Sequence, residues 1–139
     1  MPDRDIILAK VATIDRCLAR ILEMRGPRGA TLLPVDVDDI VILNLQRAAQ
    51  AAIDLGAHVV AAERLGLPDS LAATFTLLEK TGILSPVLAE RMRKMTGFRN
   101  IAVHTYEAVN SAVVDAIVTR HLGDLKDFGA LMLARYAHP

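Results

Sequence analysis

Among 139 residues there is one cysteine, Cys17. An internal disulfide is therefore excluded, and a reducing compartment, the cytoplasm, is expected. Cys17 falls in an apolar stretch, which points to an inert core thiol and away from a nucleophile. Net charge is missing too, because 16 Lys and Arg balance 16 Asp and Glu. That excludes broad electrostatic clamping of nucleic acid, so any such contact has to be local. Apolar residues make up 53% of the chain, yet no run approaches the ~20 residues of a membrane span. The start, Met-Pro-Asp-Arg-Asp-Ile, lacks a basic segment followed by an apolar block, so no secretory signal is expected. Strand-like alternation, internal repeats, low-complexity tracts, a Gly-rich phosphate loop, zinc-ligand spacing and a Ser-His-Asp order are all absent. What remains is one all-α domain, long enough to bury a core.

What is present is helical periodicity. Asp3 can cap a first helix whose seam, Ile7, Val11, Ile14, Leu18 and Ile21, steps by four and three until Gly26-Pro27. Asp36, Asp38 and Asp39 then stand at the start of a long second helix running to about Arg64, where carboxylates favour the positive end of the dipole. With no further ligand at suitable spacing, capping accounts for the three acids better than a metal does. The second seam is alanine-rich, allowing close helix approach, and Asn44 and His58 interrupt it as hydrogen-bonded core polar groups. Gly66-Leu67-Pro68 breaks the chain. Ser70 can cap a short third helix ending at Gly82, and Ser85-Pro86 opens the next. Gly97, with β-branched Val103 and Thr105, predicts a bend or break near 97–107, followed by a helix to about His121 and a last one from Gly123-Asp124. The architecture expected is an antiparallel bundle of about five helices.

The fourth helix carries the chemistry. Leu88, Met92, Met95, Arg99, Ala102, Tyr106, Val109, Val113 and Ala116 share one face, and only Arg99 and Tyr106 in that seam are not apolar. An arginine in a buried seam is costly unless it is paired or put to use. Asn100 and His104 lie four apart on the neighbouring strip. Arg99 and His104 are separated by ~140°, within reach of arginine's long stem. Taken singly, Arg99 could pair with a carboxylate, His104 could be a satisfied core histidine, and Tyr106 could pack by its ring. Together at this spacing they point to a site. His138 reads as a frayed tail residue. Arg91, Arg93 and Lys94, just upstream, are candidates for RNA contact, with a solvated helix face as the equal alternative.

Arg99-Asn100-Ile101-Ala102-Val103-His104-Thr105-Tyr106 resembles the R-x4-H-x-Y signature of HepT-like toxins, a branch of the HEPN superfamily of small helical ribonucleases. The likeness extends over residues 1–139, through Leu45 to Leu55, Leu65-Gly66-Leu67-Pro68, Gly82-Ile83-Leu84 and Met95 to Asn100. The resemblance implies a HEPN-like bundle and an endoribonuclease toxin paired with a minimal nucleotidyltransferase antitoxin. It also implies a homodimer whose two motifs face one cleft, and AMP addition to the motif tyrosine, here Tyr106. No cofactor is implied.

The residue types suit that chemistry. RNA is cleaved without metal when its 2′-hydroxyl is deprotonated and attacks the adjacent phosphate. The reaction needs an imidazole titrating near neutrality and a fixed cation for the phosphorane. His104 supplies the first and Arg99 the second, while Asn100 can orient the imidazole or the phosphate. The alternative is a non-catalytic helical partner of a nucleotidyltransferase. Retention of all four polar residues favours the nuclease, since a docking helix has no need of the set.

Overall fold

A computed structural model describes residues 1–104 and 111–137, the side chains of 101–104, 111 and 113 excepted. Helix α1 spans Arg4–Arg25. Asp3 caps it, its carboxylate accepting from the backbone N–H groups of Asp5 at 2.8 Å and Ile6 at 3.3 Å. All five seam residues are buried, joined by Cys17 and Met24. The turn that follows holds a short 3-10 segment, Gly29–Thr31. Only glycine fits its first position, because a Cβ at Gly29 would stand 1.7 Å from the Met24 carbonyl oxygen.

Helix α2, Pro34–Ala62, starts differently from the expectation. No aspartate caps it: Leu33 is the N-cap residue with no side-chain cap bond, and Pro34 supplies the preset first turn. Asp36 lies in the first turn and acts through the helix dipole instead. The helix stops before Arg64, which takes a positive φ of 54°. Its alanines Ala48, Ala49, Ala51 and Ala52 are buried, as close approach requires. Asn44 donates to the Ile40 carbonyl at 2.8 Å, and His58 Nε2 accepts from the Asp3 backbone N–H at 2.8 Å. The latter bond joins the start of α1 to the end of α2 and fixes the two as an antiparallel hairpin.

Helix α3 runs over Leu71–Lys80, with Ser70 Oγ accepting from the Ala73 N–H at 3.0 Å. Helix α4, Pro86–His104, begins with Ser85 Oγ accepting from the Leu88 N–H at 3.2 Å. It continues through Gly97, so no break precedes His104; residues 105–107 of the expected bend lie outside the described residues. A mid-helix glycine costs only about 1 kcal/mol, and burial of Met92, Met95 and Phe98 on the same helix offsets it. Helices α5, Ser111–Arg120, and α6, Leu122–Tyr136, are separated at His121. The described residues thus form six α-helices and no strand, in keeping with the expected all-α bundle of about five.

Helix α6 packs on α1, α4 on α2, and α3 on α4. Phe75 of α3 and Phe128 of α6, both fully buried, meet edge to face with centroids 5.7 Å apart and close the core between them. No helix among the described residues is long and apolar enough to cross a membrane.

Candidate functional site

Helix α4 leans on α2 so that Arg99 meets the α2 face carrying Gln50. The Arg99 Nε–H donates to Gln50 Oε1 at 2.6 Å, and Nη1 donates to Asn100 Oδ1 at 3.1 Å. Gln50 turns its own amide N–H to Asp54 Oδ1 at 2.8 Å, and Asp54 Oδ2 receives Lys10 Nζ at 3.3 Å. A chain of polar side chains therefore runs from α4 across α2 to α1. It fixes the Arg99 stem while both of its partners are neutral amide oxygens. Among the described residues no carboxylate compensates the Arg99 charge. A half-buried guanidinium held by neutral acceptors keeps its field for an incoming anion.

Asn100 is exposed and orients the guanidinium. His104 is the last residue of α4, so unbroken helical backbone joins it to Arg99 in the expected register. The His104 side chain, Tyr106 and His138 lie outside the described residues.

The upstream basic cluster does not behave as one patch. Arg93 is bound to Glu79 at 2.9 Å and to Glu90 at 2.9 Å, and its side chain is only 24% exposed. Hydrogen bonds to Glu79, then to Glu90, raise its pKa further. Arg91 pairs at 3.1 Å with Asp124, a carboxylate that is buried and also takes His121 Nδ1 at 3.0 Å. Lys94 is exposed and, with Arg91, Met95, Phe98, Ile117 and His121, borders a small pocket of about 130 Å³. Of the three, Arg93 ties α4 to α3 and Arg91 ties α4 to α6, and only Lys94 has no acidic partner among the described residues. Among the described residues no group of three or more His, Cys, Asp or Glu side chains could hold a metal.

The polar chain behind Arg99 was not expected. Gln50 and Asp54 stand four apart on an alanine-rich helix, a spacing that lets an amide and a carboxylate meet, and that was its only trace in the sequence.

Residues 14–131 match the model of the family described as Ribonuclease HepT-like. The chain belongs to the HepT-like ribonuclease family. It is 40% identical over 124 residues to the mRNA nuclease HepT of Shewanella oneidensis, covering 89% of this chain and 93% of that protein. Among solved structures it is similar to a toxin–antitoxin complex with AMP-PNP, at 38% identity and TM-score 0.86, over 94% of this chain and 99% of the other. It is equally similar to the tri-AMPylated Shewanella oneidensis HEPN toxin in complex with MNT antitoxin, at 39% identity and TM-score 0.86, over 94% and 98% of the two chains. In this HepT-like chain α4 thus brings Arg99 against α2 with Asn100 beside it, and His104 lies one and a half turns further along α4.

Proposed function

We propose that this chain is the endoribonuclease toxin of a toxin–antitoxin pair, acting in the cytoplasm and cutting RNA without a metal ion. His104 takes the proton from the 2′-hydroxyl, and Arg99 holds the phosphorane that forms as the oxygen attacks phosphorus. Asn100 keeps the guanidinium fork facing the phosphate. The 5′-oxygen leaves with a proton, and the other product carries a 2′,3′-cyclic phosphate. A single imidazole on one side of the phosphate cannot easily serve as base and acid at once, so the working unit is a homodimer with both motifs in one cleft. The observation that carries the reading is the half-buried Arg99 guanidinium, positioned by Gln50 and Asn100 with no described carboxylate to neutralise it.

Control by a minimal nucleotidyltransferase antitoxin fits the same site. AMP transferred to Tyr106 would place a phosphate two residues from His104 and beside the Arg99 charge, repelling RNA and filling the cleft. Incubating the purified protein with RNA in EDTA tests the nuclease. Cleavage to cyclic-phosphate ends is expected, and its loss in both Arg99→Ala and His104→Ala. Cleavage that needs magnesium, or that survives His104→Ala, refutes the mechanism.

A further inference from the structure

Along the α1/α2 hairpin, beside Gln50, runs an open groove of about 650 Å³. Its walls alternate by helical steps: Lys10, Thr13, Arg16, Cys17 and Arg20 from α1, and Ile40, Asn44, Arg47, Gln50 and Asp54 from α2. Four lining residues are cations and one, Asp54, is an acid. Two of the cations are already engaged, Lys10 by Asp54 at 3.3 Å and Arg20 by Glu23 at 3.1 Å. Arg16 and Arg47 are exposed and have no acidic partner among the described residues. Both line the groove together with Cys17, whose thiol pKa is pushed up by burial and pulled back by these two guanidiniums.

The groove meets the Arg99 site through Gln50, which lines it and accepts from Arg99 Nε. Because α1 and α2 are antiparallel and Lys10 meets Asp54, the Lys10–Asp54–Gln50 end of the groove touches Arg99. From there it passes Arg16 and Arg47 and ends near Arg20 and Ile40. At 1.5 Å per helical residue the stretch from Lys10 to Arg20 is ~15 Å long. That length matches about four nucleotides stacked at ~3.4 Å each. Toward the Arg20 end the floor is apolar and partly exposed, with Leu43 and Ile40 available to base faces beyond the two arginines.

We propose that this groove seats the single-stranded RNA flanking the cut, with Arg16 and Arg47 binding its phosphates. The inference rests on the nuclease reading of Arg99 and adds to it the direction in which the substrate leaves the site. A second copy of this chain is the competing occupant. Two identical grooves, each carrying unpaired arginines, would repel on contact, whereas a polyanion is attracted by both. The zero net charge of the chain makes the placement matter, since attraction for RNA then depends on where cations are left unpaired rather than on a global excess.

The test measures binding apart from cleavage. Fluorescence anisotropy of a labelled 20-nucleotide single-stranded RNA in EDTA, on a His104→Ala background, is recorded over a series of salt concentrations. Arg16→Glu/Arg47→Glu is compared with the charge-matched control Lys80→Glu/Lys126→Glu, which alters exposed lysines on α3 and α6. Each phosphate contact contributes about 0.7 to the slope of log affinity against log salt, so loss of two should flatten it by ~1.4. Affinity near 0.15 M salt should fall about tenfold or more beyond the control. Arg16→Gln/Arg47→Gln, which removes charge without reversing it, should give the same change in slope with a smaller loss of affinity. Slopes equal to that of the control overturn the groove. So does light scattering in which the Glu pair changes the oligomeric state while the slope stays unaltered, which assigns the groove to a second copy. If RNA binds with the expected slope but the His104-containing protein does not cleave it, the catalytic reading fails and the groove stands.

Discussion

The bond between Arg99 and Gln50 is the point at which a single atom change should separate positioning from charge. Gln50 is half-buried and accepts from Arg99 Nε at 2.6 Å while its other amide atom is held by Asp54 at 2.8 Å. A hydrogen bond to a charged group is worth about 1.5–3 kcal/mol when buried, and partial exposure of this pair brings the expectation to about 1–2 kcal/mol. If that energy is lost mainly from the transition state, Gln50→Ala should lower kcat by about 5–30-fold. Melting should change little, since the side chain is not part of the apolar core. Gln50→Glu keeps an acceptor for Arg99 but makes it anionic, and it sets a second carboxylate against Asp54. The tighter pair then neutralises the guanidinium, so this variant should cut RNA no faster than Gln50→Ala. Single-turnover cleavage of one RNA, with melting curves alongside, decides the matter. A Gln50→Ala protein with unchanged kcat refutes the positioning role. A Gln50→Glu protein clearly faster than Gln50→Ala refutes the argument that neutral partners keep Arg99 available.

Other outcomes follow from the packing. Asp124→Ala removes a buried acceptor shared by Arg91 and His121. Both partners are about half exposed and can rehydrate, so the loss should be about 1–2 kcal/mol, read as a melting temperature lower by roughly 3–8 °C. Gly29→Ala forces a Cβ onto the Met24 carbonyl and should cost about 2–3 kcal/mol or more; an unchanged melt would contradict the close approach. Arg93→Ala should lower stability with little effect on RNA affinity, and Lys94→Ala should do the reverse, both checked by melting and anisotropy. Cys17 is buried and its thiol is kept protonated by that burial. Iodoacetamide should therefore leave it untouched in the folded protein at mildly alkaline pH and modify it on unfolding, which mass spectrometry would show.

What could be read from the sequence and what could not divides along a physical line. Periodicity is a property of one helix, so the α1 seam from Ile7 to Ile21, the Asp3 and Ser70 caps and the Ser85-Pro86 start all appear as the spacing predicts. Competition between neighbouring start and stop signals is less direct. Three aspartates at the start of α2 looked like caps, but Leu33-Pro34 fixes the start earlier, since proline presets the first turn and has no N–H to satisfy. Gly97 looked like a breaker, yet buried neighbours carry α4 past it. Pairing between helices was not legible at all. Arg91 and Arg93 lie among charged neighbours in sequence, and only the packing of α4 against α6 and α3 shows that Asp124 and Glu79 claim them. The same holds for Arg99, whose isolation in an apolar seam was visible although the helix that would hold it was not. The neutrality of Gln50 and Asn100 is therefore the decisive contribution of the fold to the site. With a carboxylate at Gln50, α4 would still pack on α2, but the cation that the motif supplies would already be spent.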